Sequence, residues 1–546
     1  MSERAAPRRT RWRSLLPCLA LAAACTATPG VERTASPGGA SPAAGPGGRF
    51  ARIACGLPAA HLERLRNGYM AERASEIQFV LRSPHFFGGY SHSGPWGYLQ
   101  RVPLLFYGPG HVPPVGAVGR PVTLTSVAPT LALHLGYHFG TPDGQALEEA
   151  VLPGAEPPRL VVVVVWDAAG RNVLERYPAE WGPVRRLIPR GAWFENATVG
   201  TSPSMTPPVH STIGTGVYPR RHGIIDFRIR DGDRLVGAVR SGPRYLLSPT
   251  LADRDAGNRP LVGFVGWEPT LGMIGHGSAM EGGDEDLALA LRHGRWGLSP
   301  ANRGAYRFEE YVNEIPGLDD EARRLDVEDG RLDGRWLGAS VLGTPADIEY
   351  TPAFSRYQTG VLSEVIRREG FGEDEVPDLL FTNYKQVDRV AHAWSFPTPQ
   401  MQAVVAGVAE ELAELIRLLD REVGRGRWVM ALTADHGATP LASETGAFTV
   451  NRDELAADIA SALDTDGDRA RVVRNFLITQ LWINVPELEE NGHTLEDLAD
   501  FLMEYTAADN AADPSALPED LRDQRLFRAA FPGGVLDALP CIPHEA

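Results

Sequence analysis

Lysine is almost missing from this chain. Lys385 is the one lysine among 53 basic residues, the rest being arginine. That bias reads as the mark of a GC-rich genome, and a mechanism for this chain must work without lysine general bases. Net positive charge is missing too: 69 acidic residues outweigh the basic ones and leave −16 at pH 7. Such a surface excludes broad binding to a phosphate backbone, so a nucleic-acid polymer is not an expected partner. Long apolar runs are absent. The stretch at residues 15–24 is too short to make a good spanning helix, and no other segment approaches one. Internal repeats are absent as well. What remains is an ordinary globular composition, 43% hydrophobic and 22% charged, over 546 residues. A chain of that length builds one large α/β domain with insertions as readily as two or three smaller ones.

Along the chain, residues 1–25 read as an export signal. Arg8, Arg9, Arg11 and Arg13 form a basic start, and Leu21-Ala22-Ala23-Ala24-Cys25 resembles a lipoprotein cleavage site with Cys25 as the lipidated residue. The expected location is extracytoplasmic, membrane-anchored through lipid, or simply secreted. Residues 26–48, rich in Ala, Pro, Gly and Ser, read as a flexible tether. Residues 49–151 read as a compact α/β piece with a strand at 102–107 and an amphipathic helix at 127–135. A linker at 152–158 follows. Residues 159–227 and 351–546 are expected to form two parts of a catalytic core. Residues 228–350, rich in Gly, Arg and Asp, read as an inserted cap or elaborated loops.

Three apolar runs end in polar groups. Asp167 follows residues 160–166, Asp388 and His392 follow 379–384, and Asp435 and His436 follow 428–434. Each run reads as a buried parallel strand, and open α/β sheets place their sites past the C-terminal ends of such strands. Carboxylate plus imidazole is a zinc-type ligand set. Taken singly, Asp435 also reads as a helix cap, His436 as a satisfied polar residue and Asp167 as a turn residue.

The segment Thr201-Ser202-Pro203-Ser204-Met205-Thr206-Pro207-Pro208-Val209-His210-Ser211-Thr212 continues to Gly214-Thr215-Gly216-Val217-Tyr218-Pro219-Arg220-Arg221-His222-Gly223-Ile224. It resembles the alkaline phosphatase superfamily, nearest its type I phosphodiesterase/nucleotide pyrophosphatase branch, with a Thr-x-Pro turn followed by Thr-Gly-x-Tyr-Pro-x-x-His-Gly-Ile. The resemblance implies an α/β sandwich with a central, mostly parallel sheet flanked by helices. It implies Thr206 as nucleophile, with Ser204 and Ser211 as competitors, while His210 and His222 hold the turn. One divalent ion, most simply Zn2+, would take Asp167, Thr206, Asp435 and His436. A second would take Asp388, His392 and a late histidine.

That late histidine normally follows Asp-His-Gly and precedes a strand resembling Val-Pro-Leu-Leu-Phe-x-Gly. Downstream of His436 only His493 and His544 occur, without that context. Upstream stand Ser91-His92-Ser93-Gly94-Pro95-Trp96 and Arg101-Val102-Pro103-Leu104-Leu105-Phe106-Tyr107-Gly108. The resemblance therefore points to a circular permutation that makes His92 the sixth ligand; the rival is an independent accessory domain at 49–150. Permutation also places Cys55 and Cys541 where the new termini meet, and a disulfide between them is expected in an exported protein. The implied activity is hydrolysis of a small phosphate ester, diester or monoester, through a phosphothreonine. Sulfate or phosphonate chemistry is also open. The other class of reading is a non-catalytic exported lipoprotein that binds a phosphorylated ligand. Where the branch carries an asparagine after His-Gly-Ile, this chain has Asp226. That carboxylate would repel a phosphate if it pointed inward, whereas Arg228 would neutralise one.

Overall fold

The computed structural model describes residues 48–538 and 541, apart from 256–259, 281–282, 284 and 293. The expected signal peptide, the lipidated Cys25 and nearly all of the tether lie outside the described residues. Among the described residues no helix is long and apolar enough to cross a membrane.

The centre is a nine-stranded sheet. In chain order its strands are β1 (Leu104–Tyr107), β2 (Gly116–Thr123), β3 (Leu160–Trp166), β4 (Ala192–Thr198), β5 (Val262–Trp267), β6 (Leu287–Arg292), β7 (Arg295–Trp296), β8 (Asp378–Tyr384) and β9 (Trp428–Thr433). Across the sheet they lie in the order β7-β6-β5-β8-β3-β9-β1-β4-β2. Only β1 and β7 run against the others. The fold is thus the mostly parallel α/β architecture expected. Every residue of β3, β8 and β9 is buried, because helices cover both faces of a parallel sheet and leave no side for polar alternation. Each valine of β3 removed from water is worth about 1.5–3 kcal/mol, which is why five can stand in a row.

The N-terminal segment is woven into this architecture. Strand β1 lies between β9 and β4, pairing Leu105 with Leu432 and with Trp193. A second, four-stranded antiparallel sheet places Ile77–Leu81 between Gln480–Ile483 and Phe527–Pro532. Cys55 and Cys541 are joined as a disulfide with Cα atoms 5.6 Å apart.

One expectation is corrected. Residues 228–350 are not merely a cap, because β5, β6 and β7 come from them and extend the central sheet beyond β8. The strands were hidden by small residues. A Cβ on Gly263 would meet Phe371 at 2.6 Å, and one on Gly266 would meet Asn383 at 3.0 Å. Close packing therefore demands glycine where a hydrophobic scan needs valine.

Candidate active site

The site is built on the ends of three adjacent strands. Asp167 follows β3 and its amide still pairs with the Tyr384 carbonyl of β8 at 3.0 Å, so the carboxylate is held by the sheet's own ladder. Ala168 then turns into the left-handed region at φ 60°. That costs a non-glycine residue on the order of 1–3 kcal/mol, and it aims the Ala168 N–H at Asp435 Oδ1, 3.0 Å away. The turn after β9 packs against it: a Cβ on Gly437 would meet the Tyr98 carbonyl at 2.2 Å, so only glycine fits beside Asp435 and His436. Beyond β8 the chain enters helix α2 (Gln386–Trp394), where Asp388 and His392, four residues apart, share one face.

Thr206 opens helix α1 (Thr206–Thr215). Pro207 and Pro208 suit its first turn because no intrahelical partner exists there for their missing N–H groups. Gly216, left-handed at φ 67°, ends it. The two competing hydroxyls are engaged elsewhere. Ser211 donates to the Pro207 carbonyl at 2.9 Å, and Ser204 exchanges contacts of 3.3 Å with the Gly94 backbone. Thr206 Oγ1 instead faces Lys385 Nζ at 3.3 Å.

Two groups of ligand atoms are linked to this hydroxyl through Lys385 Nζ, which also contacts Asp167 Oδ1 and Asp388 Oδ2. In the first, His92 Nε2 lies 3.1 Å from Asp388 Oδ1 and 3.0 Å from His392 Nε2, and His392 Nε2 lies 3.5 Å from Asp388 Oδ1. In the second, His436 Nε2 lies 3.3 Å from Asp435 Oδ2 and 3.7 Å from Asp167 Oδ1. Around a tetrahedral ion with bonds of 2.0–2.1 Å, neighbouring ligand atoms stand about 3.3–3.4 Å apart. The first group, at 3.0–3.5 Å, and the His436–Asp435 pair, at 3.3 Å, lie near that spacing, and the His436–Asp167 pair is wider at 3.7 Å. The His92 and His436 rings stack with centroids 3.8 Å apart, so the groups are neighbours.

The donor chemistry fits as well. His436 Nδ1 donates to the Gly437 carbonyl at 3.1 Å and His392 Nδ1 to the Gly89 carbonyl at 2.9 Å, which leaves each Nε2 with a free lone pair. Asp388 Oδ1, Asp435 Oδ2 and His436 Nε2 are buried without a hydrogen-bond partner. His210 also lies within 4.8 Å of Asp167 and Asp435, yet both its nitrogens are engaged. Nδ1 donates to the Thr206 carbonyl at 2.9 Å, and Nε2 accepts from Asn383 Nδ2 at 3.1 Å. His222 likewise accepts from the Ile224 amide and donates to Thr212. These two histidines hold the turn.

The electrostatics show a pocket short of positive charge. Burial and the nearby Asp435 push the Asp167 carboxyl up, against the pull of Lys385. Burial opposes a charged His436, but Asp435 and Asp167 outweigh it and lift the imidazole to about 9. Burial and repulsion from His436 press His92 down to about 3, so it is neutral at pH 7 and keeps a lone pair for a cation. Asp167, Asp435 and His436 would hold a cation here only with the His436 imidazole neutral, so binding would release its proton.

Asp226 is turned away from this chemistry. Asp226 is fully buried and accepts from the Phe227 amide at 2.6 Å and from Gln480 Nε2 at 3.0 Å. Arg228 stands exposed on the Arg228–Asp231 and Arg234–Gly237 hairpin, with no described contact to Thr206 or the ligand groups.

Two residues of the site had no role in the sequence reading. Asn383 donates to Asp167 Oδ2 at 3.0 Å as well as to His210. Lys385 places Nζ 2.9 Å from Asp167, 2.8 Å from Asp388 and 4.3 Å above the Trp267 ring. Its signal was its solitude: the only lysine of the chain stands three residues before Asp388.

The type I phosphodiesterase/nucleotide pyrophosphatase family model matches residues 161–527, more than half of the chain. The chain belongs to that family. Among curated relatives, alkaline phosphatase PhoD of Zymomonas mobilis is 24% identical over 351 residues, covering 59% of this chain and 60% of the relative. Alkaline phosphatase PhoV of Synechococcus elongatus is 23% identical over 335 residues, covering 52% and 59%. The chain thus spans about three fifths of the length of these relatives. The crystal structure of wild-type alkaline phosphatase PafA aligns with a TM-score of 0.50 and 16% identity, covering 68% of this chain and 84% of that one. That likeness is one of fold.

Proposed function

We propose that this protein hydrolyses small phosphate esters with Thr206 as nucleophile and two divalent ions, Zn2+ by ligand type. One observation carries the reading: two clusters of carboxylate and imidazole atoms, with Asp388 Oδ1, Asp435 Oδ2 and His436 Nε2 buried and unpartnered, meet at Lys385, whose Nζ also contacts the Thr206 hydroxyl. Asp388, His392 and His92 would hold one ion; Asp167, Asp435, His436 and Thr206 would hold the other. When bound, such ions supply charge for the attacking and leaving oxygens. Thr206 Oγ attacks phosphorus in line as its proton passes to solvent, the ester oxygen leaves and takes a proton from water, and a second water then cleaves the phosphothreonine to phosphate and the free hydroxyl. His210 and Asn383 keep Thr206 and Asp167 in place, and Ala168 N–H fixes Asp435. Family membership supports ester hydrolysis as the reaction class. The burial of Asp226 leaves it no phosphate contact, and exposed Arg228, next to Phe227 on the Trp267 ring, stays a proposed contact for a substrate phosphoryl oxygen.

A circular permutation accounts for the same facts. The family match begins at residue 161, yet the segment before it supplies β1, β2 and His92. We further propose export, with lipid on Cys25 as the anchor. The test is metal content together with hydrolysis of p-nitrophenyl phosphate and bis-p-nitrophenyl phosphate by the wild type and Thr206→Ala. Two zinc ions per chain and turnover lost in the variant are expected. A metal-loaded wild type inert toward both esters would overturn phosphate-ester hydrolysis as the function.

A further inference from the structure

We propose that Lys385 is a further catalytic residue, a fixed ammonium that donates to the Thr206 oxygen while tying together the two carboxylates that serve the two ions. The inference rests on Thr206 being the nucleophile.

An ammonium has three N–H groups and no acceptor capacity. Around Lys385 Nζ stand three oxygens: Asp167 Oδ1 at 2.9 Å and Thr206 Oγ1 at 3.3 Å accept hydrogen bonds, and Asp388 Oδ2 at 2.8 Å completes an ion pair. The fourth side is closed by the Trp267 ring, 4.3 Å from Nζ, which favours a cation on its face. The side chain is 6% exposed, so these contacts are not diluted by solvent.

The placement leaves room for the ions. Asp388 gives Oδ2 to the lysine and keeps Oδ1 for His92 and His392. Asp167 gives Oδ2 to Asn383, and its Oδ1, with two lone pairs, can serve both Lys385 and a cation. Lys385 therefore complements the ion ligands. By donating to Thr206 Oγ1 it commits one oxygen lone pair and turns the hydroxyl proton away. Its charge stays beside that oxygen as the bond to phosphorus forms, and again as the same oxygen leaves in the second step. It reaches this place because it stands at the N-cap position just before α2, three residues ahead of Asp388.

Lys385→Met keeps the length of the side chain and removes charge and donors. With two ions still bound per chain by elemental analysis, kcat is expected to fall on the order of 10²–10³-fold, the loss seen when one preorganised donor is removed. KM should change little, because the contact is to the nucleophile. Lys385→Arg retains the charge the buried carboxylates require but offers a planar fork in place of a point donor, and a fall of about tenfold or more is expected. It keeps the test decisive if the methionine variant does not fold. A readout independent of turnover uses the composition: 15N-lysine labelling gives one side-chain ammonium signal, which should shift in Thr206→Val if the two groups touch. Wild-type kcat in either folded variant overturns the proposal. So does loss of a bound ion in Lys385→Met, which would make Lys385 a part of ion assembly only, and so does an unmoved ammonium signal. Full activity in Thr206→Ala would instead overturn the reading of the nucleophile, and is distinguished by that variant alone.

Discussion

The two ligand groups beside Thr206 use the same residue types, yet the chain supplies them differently. Asp167, Asp435 and His436 come from the ends of neighbouring strands and are wholly buried. Their remaining atoms are engaged: Asp167 Oδ2 by Asn383, Asp435 Oδ1 by Ala168 N–H, His436 Nδ1 by the Gly437 carbonyl. Asp388 and His392 ride on a helix, and His92 arrives from 300 residues away. The His392 side chain is 41% exposed and His92 Nδ1 has no partner. One group is thus set by the sheet, the other by how the N-terminal segment docks. Loss of the His92 side chain should strike the helix-borne group first, because His92 supplies that group with a ligand atom and gives the sheet-built group only a stacked ring.

Thr206→Ala, which stands between the groups, carries the largest expected effect: turnover falls at least about a thousandfold while both ions stay, checked by ester hydrolysis and metal analysis. His92→Ala should separate the groups. One ion of two should remain, and activity should fall by more than the roughly 10–100-fold cost of losing an outer partner. Retention of both ions would dissolve the contrast. Asn383→Ala acts on the sheet-built group from outside, and about 10–100-fold weaker metal binding or activity is expected, measured by competition with a chelator.

Cys55→Ser probes the docking of the N-terminal segment. A loss of about 2–4 kcal/mol in denaturant unfolding is expected, with ion content unchanged under native conditions. The smallest effect is expected at Asp226. Burial raises its carboxyl from 3.8 to about 7, against the pull of the Phe227 amide and Gln480. The folded protein therefore holds a proton that the unfolded chain releases above about pH 4. Its contribution to stability falls as pH rises from about 4 to 7 and is flat above. Asp226→Asn should remove that slope, so the variant gains on the wild type by on the order of 1–3 kcal/mol between pH 5 and pH 8. Parallel stability curves would show that Asp226 is ionised throughout.

The legible parts of the molecule are those where burial is uniform. Strands β3, β8 and β9 could be read because both faces are covered and every position is apolar. Strand β5 escaped because Phe371 and Asn383 press on it and require Gly263 and Gly266. Among site residues, those in a spaced motif were nameable: Asp388 with His392, Asp435 with His436, and Thr206 before its prolines. Asn383 and Lys385 carry no spacing of their own. Lys385 was set aside because one lysine among arginines looks like composition and not chemistry.

By itself, the amino-acid order determined the family, the parallel sheet and which polar groups stand at the strand ends. Local rules suffice there, since apolar runs, turn residues and helix spacing act within about ten residues. Only the tertiary structure decided that the segment around His92 packs beside Asp388 and that Cys55 meets Cys541. It alone filled the space between Asp167, Asp388 and Thr206 with the ammonium of Lys385. Those contacts join residues up to hundreds of positions apart. They depend on the burial of the groups between them, which no spacing in the chain encodes.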